Sequence, residues 1–179
     1  MTPDIGTDLA SRIRLLVLDV DGVLTDGHLV IGPQGEEYKH FFAHDGMGIR
    51  VALGAGIEVA FLSARESEVV SRRAESLGVR EVLQGKRRKL DALTRLAERL
   101  GISLSDVAYV GDDLVDVPPV ASVGLGVAVS DACEDLKRAA GFVTDAPGGG
   151  GAVRETVEAI LKARGDWEEV LASFIESLE

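Results

Sequence analysis

The chain has 179 residues, 46% of them hydrophobic, and a formal net charge of −11. This length favours one compact domain with a sizeable core and is too short for two ordinary domains. The negative charge argues against a nucleic-acid backbone or an anionic membrane surface as the partner. The longest apolar stretches have the length of strands rather than membrane spans, and the N-terminal residues lack the apolar core of a signal peptide, so we expect a cytoplasmic protein.

Apolar runs alternate with helix-period segments along the chain, which is typical of repeated β-α units in a parallel sheet. The predicted strands are residues 14–18, 57–62, 79–83, 106–110, 123–129 and 142–144. The predicted helices are residues 46–54, 66–77, 87–100, 114–121, 132–139, 151–163 and 166–177. The predicted fold class is therefore α/β, with a doubly wound, Rossmann-like and mostly parallel sheet in a single domain over residues 1–179.

One segment interrupts this alternation between the first strand and the first helix. Residues 28–42 contain two short runs with β propensity, joined by the turn GPQG at 32–35. This pattern predicts an inserted antiparallel β-hairpin. Near the other end, residues 148–151 are all glycine and precede the helices predicted at about 151–177. By composition alone this glycine run is equally consistent with a linker and with a functional loop.

Polar side chains follow each of the first four strands of the predicted sheet. In an open parallel sheet, ligands bind in the crevice outside the carboxyl ends of the strands, so these side chains are expected at one edge. In chain order, the residues are Asp19 and Asp21, then Ser63 and Arg65, then Lys89, and then Asp112, Asp113 and Asp116. The predicted site therefore combines a cluster of carboxylates with a hydroxyl group and two cations.

The chemistry of these groups points to phosphoryl transfer. Carboxylates that cluster at a strand end are tolerated if they share a divalent cation, and an all-oxygen set such as Asp19 and Asp112 suits Mg²⁺. A carboxylate can attack phosphorus to form an aspartyl-phosphate while a second carboxyl group transfers protons, and Asp19 and Asp21 suit these two roles. Ser63 and Lys89 would then match the charge of the phosphoryl group.

Simpler interpretations remain open for some of these residues. The carboxylates can be turn or cap residues, and Ser63 can cap the helix that begins near residue 66. The basic run at 86–89 can be a solvated helix start, so we assign residues 86–88 to solvent and keep only Lys89 in the site because of its position ahead of the helix.

Four motifs occur in order along the chain: DVDGVLTDG at 19–27, LSAR at 62–65, a lysine at 89 and GDDLVD at 111–116. Together they resemble the haloacid dehalogenase-like phosphatase superfamily over nearly the whole chain. Only 41 residues separate the second aspartate of the first motif from the serine of the second. This interval accommodates the hairpin but no separate cap domain, so the chain is similar to the capless branch.

The resemblance implies a role for each matching residue. Asp19 would be the nucleophile and an Mg²⁺ ligand, and Asp21 would be the general acid and base and a ligand through its backbone carbonyl. Asp112 would be the remaining metal ligand, and Ser63 and Lys89 would bind the phosphoryl group. Two further aspartates would support these ligands from behind, namely Asp113 and Asp116.

Finer details resemble the branch that hydrolyses phosphates of sugar acids, notably DGMGIR at 45–50 and GGGGAVRE at 148–155. This likeness implies 3-deoxy-D-manno-octulosonate 8-phosphate as the substrate and a place in lipopolysaccharide biosynthesis, with a sialic-acid-type nonulosonate 9-phosphate as the alternative. The chain departs from the usual arginine and tyrosine around the DG pair. The residues expected to contact the sugar are His44, Asp45, Gly46, Met47 and Arg65.

The resemblance also implies a homotetramer in which the hairpins pack together at the centre and bring each subunit against its neighbour's site. The hairpin carries Leu29, Ile31 and Phe41, and the surrounding chain is too short to bury them. Two other functions are considered, a phospho-accepting receiver domain and an assembly module without activity. A receiver is disfavoured because Ser63 stands where it would carry its phosphorylated aspartate, and the intact carboxylates argue against an inactive module.

Overall fold

A computed structural model describes residues 5–176 of the chain. Its centre is a six-stranded parallel sheet with the strand order β5-β4-β1-β6-β7-β8, and a separate two-stranded antiparallel sheet is formed by β2 and β3. The strands are β1 Leu15–Leu18, β2 Val30–Ile31, β3 Glu37–Tyr38, β4 Glu58–Leu62, β5 Glu81–Leu83, β6 Val107–Gly111, β7 Leu125–Ala128 and β8 Phe142–Val143. Each of the six predicted apolar runs therefore contains one strand of the parallel sheet, as expected.

The helices cover the sheet in two groups. The helices are α1 Thr7–Arg12, α2 Ala43–Gly54, α3 Glu68–Leu77, α4 Lys89–Leu100, α5 Val117–Val120, α6 Glu134–Ala139, α7 Ala152–Arg164 and α8 Trp167–Glu176. In one group α2 contacts α3, α7 and α8, and α1 contacts α7, while in the other α5 contacts both α4 and α6. This arrangement is the predicted doubly wound α/β fold.

Two details of the helices differ from the prediction. Helix α1 was not predicted, because its six residues are too few to show a helical period. The helix predicted at 114–121 is a 3₁₀ turn, Leu114–Asp116, followed by the four-residue α5. The prolines at the start of α5 lack backbone N–H groups, so a longer hydrogen-bonded helix cannot run through them. Residue 177, the predicted end of the last helix, lies outside the described residues.

Strand β1 lies at the centre of the sheet and is completely buried. Leu18 at its end is level with Phe61 of β4 and with Val110 of β6. Because the three strands end together, the residues that follow them meet at one edge. The hydrophobic core on both faces of the sheet is continuous, and it includes residues of β1, β4, β6 and β7 as well as α2, α4 and α7.

The predicted hairpin forms, but its strands are only two residues long, with Val30 opposite Tyr38 and Ile31 opposite Glu37. It carries exposed apolar side chains, since Leu29 is 47% and Ile31 is 62% accessible. Phe41 differs from the prediction, because it packs against the core beneath the guanidinium group of Arg73. The exposed surface of the hairpin therefore consists of its two strands and not of Phe41.

The chain between β1 and β4 holds only the hairpin and α2, so the described part of the chain contains no cap domain. Among residues 5–176, no helix combines the length and the apolar character that crossing a bilayer requires.

Candidate active site

The site begins where the chain leaves β1. Asp19 continues the strand by donating its backbone N–H to the carbonyl of Val110, and its side chain is 8% exposed. The carbonyl of Val20 then accepts from three consecutive backbone N–H groups, at residues 23–25, and these bonds turn the chain sharply. Asp19 and Asp21 therefore lie on either side of the point where the chain stops being extended.

Gly22 makes this turn possible and leaves room for a second carboxylate. Its φ angle is 96°, in the region that disfavours residues with a side chain. A Cβ atom at this position would lie 2.1 Å from Oδ2 of Asp112. Only glycine therefore allows the carboxylate that follows β6 to approach the turn that follows β1.

Three carboxylates meet at this edge of the sheet. Asp19, Asp112 and Asp116 each place one oxygen within 4.8 Å of the others, the spacing of a candidate cation site. Lys89, whose side chain is 1% exposed, lies between two of them, with Nζ 2.8 Å from Asp19 Oδ2 and 2.7 Å from Asp116 Oδ1. The ammonium group of Lys89 thus compensates part of the charge of a buried acidic cluster.

Asp116 is the anchor of this cluster and has no free oxygen. Its Oδ1 accepts from Lys89 Nζ and from the hydroxyl of Tyr109, each at 2.7 Å. Its Oδ2 accepts from the backbone N–H groups of Asp112 and Asp113, at 3.1 and 3.3 Å. Because both oxygens are occupied, the side chains of Asp19 and Asp112 are the ones with lone pairs available for a cation.

Tyr109 also belongs to this cluster, although it was not predicted from the sequence. It lies in the interior of β6, where its aromatic ring looks like an ordinary core residue of an apolar strand. Its hydroxyl group becomes part of the site because it donates a hydrogen bond to Asp116, seven residues later in the chain. Asp113 has a related role, since its side chain accepts from Leu114 N–H at 2.8 Å and caps the 3₁₀ turn that carries Asp116.

Burial and mutual repulsion shift the ionisation of the acidic cluster. Burial, followed by the charge of Asp116, raises the pKa of Asp19 to about 7, although Lys89 acts in the opposite direction. Burial, followed by the charges of Asp19 and Asp116, raises the pKa of Asp112 to about 8. The arrangement therefore favours protons or a bound cation over bare carboxylates.

Ser63 and Arg65 lie in the loop after β4, the strand that neighbours β1 in the sheet. Ser63 is 3% exposed, and its Oγ accepts from the backbone N–H of Arg65 at 3.1 Å. The alternative that Ser63 caps the next helix is wrong, because α3 begins at Glu68 and has Ser67 at its N-cap position. The hydroxyl hydrogen of Ser63 is not used in the contact with Arg65, so it can be donated to an anion.

The hairpin adds two residues that the sequence analysis did not include. Lys39, just after β3, forms a short ion pair with Oδ1 of Asp21, and its Nζ lies 3.2 Å from Oε1 of Glu37. Arg65, in the loop after β4, also approaches Glu37, and its Nη2 lies 3.6 Å from Glu37 Oε1. A hairpin predicted mainly as an interface element therefore also contributes charged groups to the site.

The four residues expected to contact the sugar, together with Arg65, do not all have suitable positions. Asp45 is buried, and its two oxygens accept from the backbone N–H groups of Gly151 and Arg154, at 3.1 and 2.9 Å. Its carboxylate thus holds the start of α7. Gly46 faces α3, since a Cβ atom there would lie 2.3 Å from the guanidinium group of Arg73. The structure thus gives Asp45 and Gly46 contacts with α7 and α3, and a contact of either residue with the sugar stays a prediction.

His44 and Met47 remain candidates for sugar contacts. Both are exposed on the first turns of α2, and Met47 is 37% accessible. The His44 ring lies 4.8 Å from the ring of Phe42, centroid to centroid. The part of the α2 start that faces solvent is therefore aromatic and apolar, and it does not carry the carboxylate that the sequence suggested.

The glycine run at 148–151 is a packed loop and not a linker. A Cβ atom at Gly148 would lie 1.8 Å from the carbonyl oxygen of Gly22, and Gly149 donates its N–H to Val23 O at 2.8 Å. The N–H of Gly148 also donates to Asp131 at 2.9 Å. This loop therefore supports the turn that carries Asp19 and Asp21, and it needs glycine because two backbones touch there.

The basic run divides as predicted. Residues 86–88 are exposed, and Arg88 pairs with Asp91, three residues later, at 2.9 Å. Lys89 alone turns inward and is buried in the acidic cluster.

The chain is similar to known protein families. Residues 57–154 match the family model of the haloacid dehalogenase-like hydrolase. The chain is 49% identical over 160 residues to the 3-deoxy-D-manno-octulosonate 8-phosphate phosphatase of Escherichia coli, which covers 89% of this chain and 85% of that protein. The enzyme of the same description from Yersinia pestis is 46% identical over 155 residues, covering 87% of this chain and 83% of that protein.

Solved structures agree with the sequence comparison. The 3-deoxy-D-manno-octulosonate 8-phosphate phosphatase of Moraxella catarrhalis, in complex with magnesium ion, phosphate ion and KDO, superposes with a TM-score of 0.91 and 40% identity, over 94% of this chain and 97% of that one. The cobalt-bound phosphatase of the same substrate from Haemophilus influenzae gives a TM-score of 0.86 and 40% identity, over 88% of this chain and 92% of that one. The likeness thus extends over nearly the whole chain.

Proposed function

Because the chain belongs to the haloacid dehalogenase-like hydrolases, we propose that it hydrolyses 3-deoxy-D-manno-octulosonate 8-phosphate to the free sugar acid and phosphate, through an aspartyl-phosphate on Asp19. The observation that carries this proposal is the group formed by buried Asp19 and Lys89 and half-buried Asp112 at one sheet edge, in a chain that is 49% identical to a phosphatase of this substrate. A nonulosonate 9-phosphate is the alternative substrate.

The residues present suit a magnesium ion. Asp19 and Asp112 would supply carboxylate oxygens, and Asp21 would supply its backbone carbonyl. Burial and, after it, mutual repulsion raise the pKa values of Asp19 and Asp112, and these raised values support the assignment because a divalent cation compensates the charge of both carboxylates. A bound Mg²⁺ would neutralise negative charge on the phosphoryl oxygens.

The reaction follows from the positions of Asp19 and Asp21. A carboxylate oxygen of Asp19 attacks phosphorus, and the bond between phosphorus and the sugar oxygen breaks. Asp21 donates a proton to that oxygen, so the sugar leaves as an alcohol. Asp21, now a carboxylate, takes a proton from water, whose oxygen attacks the same phosphorus and releases phosphate from Asp19. Ser63 and Lys89 hold the phosphoryl oxygens during both steps.

The experiment measures phosphate release from purified protein. Wild-type protein is expected to hydrolyse 3-deoxy-D-manno-octulosonate 8-phosphate with a higher kcat/KM than nonulosonate 9-phosphate or simple hexose phosphates. Exhaustive EDTA treatment should stop turnover, and added Mg²⁺ should restore it. Undiminished turnover after chelation would show that the mechanism does not use a metal. A higher kcat/KM for the nonulosonate ester would show that this ester, and not the octulosonate ester, is the substrate.

We also propose that the active form is a homotetramer whose hairpins pack together and complete the sugar pocket of a neighbouring subunit. An open sheet edge cannot by itself enclose a sugar and exclude water. The hairpin offers a suitable contact surface, because four of its apolar or aromatic side chains are exposed, namely Leu29, Val30, Ile31 and Tyr38. The part of the site left open to solvent includes His44 and Met47, which a neighbouring subunit could cover.

Replacing Leu29 and Ile31 together with aspartate is expected to yield smaller species on a sizing column, because the new charges of all subunits would repel one another at the centre of the assembly. The kcat/KM for the sugar-acid phosphate should fall more than that for p-nitrophenyl phosphate. Ile175→Asp is the matched control, since Ile175 is 51% exposed but lies on α8. A monomeric double variant that discriminates among sugar phosphates as well as wild type would refute the shared pocket.

A further inference from the structure

The side chains at and just after β3 alternate between the two faces of the hairpin. Along β3 and the residue after it, Tyr38 points outward and is 58% exposed, whereas Glu37 and Lys39 point inward toward the site. The side chain of Lys39 is 1% exposed, a value that matches Lys89 in the centre of the acidic cluster. A lysine buried to this extent needs carboxylate partners to compensate for lost hydration.

Those partners connect the hairpin to the catalytic turn. Lys39 Nζ pairs closely with Oδ1 of Asp21 and lies 3.2 Å from Oε1 of Glu37. Arg65 stands on the other side, with Nε 3.9 Å from Oδ2 of Asp21, which is too long for a hydrogen bond. One oxygen of Asp21 is therefore held by the hairpin, while no residue in the described range 5–176 places a hydrogen-bond donor close to the other oxygen.

We propose that Lys39 is a positioning residue that fixes the orientation of Asp21 through Oδ1, so that Oδ2 is the oxygen that exchanges the proton with the leaving group. The inference rests on the proposed function, in which Asp21 is the general acid and base. It deepens that function by giving the hairpin a part in the chemistry of its own subunit, in addition to any contact with a neighbour.

The contact is compatible with both states that the reaction requires of Asp21. A carboxylic acid protonated on Oδ2 still has an acceptor oxygen at Oδ1, and a carboxylate has acceptors on both. Lys39 can thus hold the side chain before and after the proton moves. Without Lys39, Asp21 would rotate among its staggered rotamers, and the proton donor would be aligned with the leaving oxygen for only part of the time.

The test separates proton donation from phosphoryl binding by changing the leaving group. p-Nitrophenyl phosphate releases an anion that leaves without a proton, whereas phenyl phosphate releases a more basic anion that benefits from one. With the Mg²⁺-loaded enzyme, Lys39→Met is expected to lower kcat/KM for phenyl phosphate by about 10- to 100-fold and that for p-nitrophenyl phosphate by less than about threefold. Neither ester has a sugar, so the comparison does not depend on the pocket.

A double-mutant cycle tests whether Lys39 acts through Asp21. Asp21→Asn should lower kcat/KM for phenyl phosphate, and Lys39→Met added to it should cause little further loss, because the group that Lys39 positions is already gone. Lys162→Met is the matched control, since Lys162 also pairs with a carboxylate, Glu158 at 2.6 Å, but at the far end of α7. It should leave both esters unaffected.

Chemical rescue distinguishes a missing ammonium group from a damaged hairpin. Cys133 is the only cysteine of the chain, so Lys39→Cys in a Cys133→Ser background has one thiol. Aminoethylation of the unfolded protein followed by refolding rebuilds a lysine-like side chain at position 39. The rebuilt protein is expected to regain most of the kcat/KM for phenyl phosphate, while the unmodified Lys39→Cys protein, unfolded and refolded identically, stays impaired.

The outcomes distinguish this inference from the function on which it rests. If wild type hydrolyses neither sugar phosphates nor aryl phosphates, the proposed function is wrong whatever Lys39 does. If wild type is active but Lys39→Met lowers kcat/KM equally for both esters, or loses as much again in the Asp21→Asn background, the positioning role is overturned. A sizing column and thermal unfolding verify that Lys39→Met is folded and assembled like wild type.

Discussion

Asp19→Asn is expected to lower kcat by on the order of 10³-fold or more, because a carboxamide oxygen is far too weak a nucleophile to form the covalent intermediate. The variant should keep the fold, since asparagine has nearly the same size and removes one charge from a repulsive cluster. Phosphate release from the sugar-acid ester measures the loss. Acid quenching of the wild-type reaction followed by mass spectrometry should find phosphate on the peptide that contains Asp19.

A control is needed because asparagine can slowly revert to aspartate by deamidation. Freshly prepared Asp19→Asn should therefore be checked by mass spectrometry, and Asp19→Ala should lose as much activity. Retention of about a tenth of wild-type kcat by a pure preparation would mean that the nucleophile is another residue, because loss of a covalent nucleophile costs orders of magnitude.

Asp112→Asn is expected to have opposite effects on activity and on stability. Activity should fall to near background, because the variant loses a carboxylate ligand of the proposed metal. The metal-free protein should become more stable at pH 8, because burial and the charges of Asp19 and Asp116 raise the pKa of Asp112 to about 8 and make its charged form unfavourable. We expect a gain in the free energy of unfolding on the order of 1–3 kcal/mol.

The pH dependence gives this prediction its sign. The pKa of Asp112 is raised in the folded protein from an ordinary value of 3.8, so the native state binds more protons than the unfolded state between about pH 4 and pH 8. Stability of the metal-free wild type should therefore fall as pH rises through this window, and Asp112→Asn should fall less. Denaturant unfolding at a series of pH values, without metal, measures both.

Magnesium provides the matching control. Added Mg²⁺ should stabilise wild type at pH 8, because it binds the folded state, and it should stabilise Asp112→Asn much less. The assignment of Asp112 as a half-buried, repelled carboxylate would be contradicted by a metal-free variant that is less stable than wild type at pH 8.

Local pattern was sufficient for the framework of this protein. Each strand of the parallel sheet lies in an apolar run, because strands buried on both faces have few polar positions. Parallel strands in such a sheet end at one edge, so the order of Asp19, Ser63, Lys89 and Asp112 after successive strands was enough to predict their meeting. The family resemblance carried the same information through four short motifs.

Contacts between distant segments were not visible in that pattern. Asp45 looked like a substrate ligand beside a glycine, yet it holds the start of α7 by accepting from Gly151, which is 106 residues away in sequence. The glycine run could not be distinguished from a linker until its backbone was seen against Gly22. The composition of a segment indicates which local conformations it can adopt, but it does not indicate which other segment it will contact in the fold.

The same reason explains the residues that were missed. Lys39 is one of many charged residues in the chain, and only the fold of the hairpin over the turn after β1 buries it against Asp21. In the sequence Tyr109 resembles any aromatic core residue, and only the fold shows that its hydroxyl donates a hydrogen bond to Asp116. Charged and hydroxyl groups become parts of a site when they are buried and have a partner at hydrogen-bond distance. Burial and partners depend on how the chain packs in three dimensions. Hydrophobic periodicity, in contrast, is already present in the order of the residues, so the sequence alone determined the strands and helices.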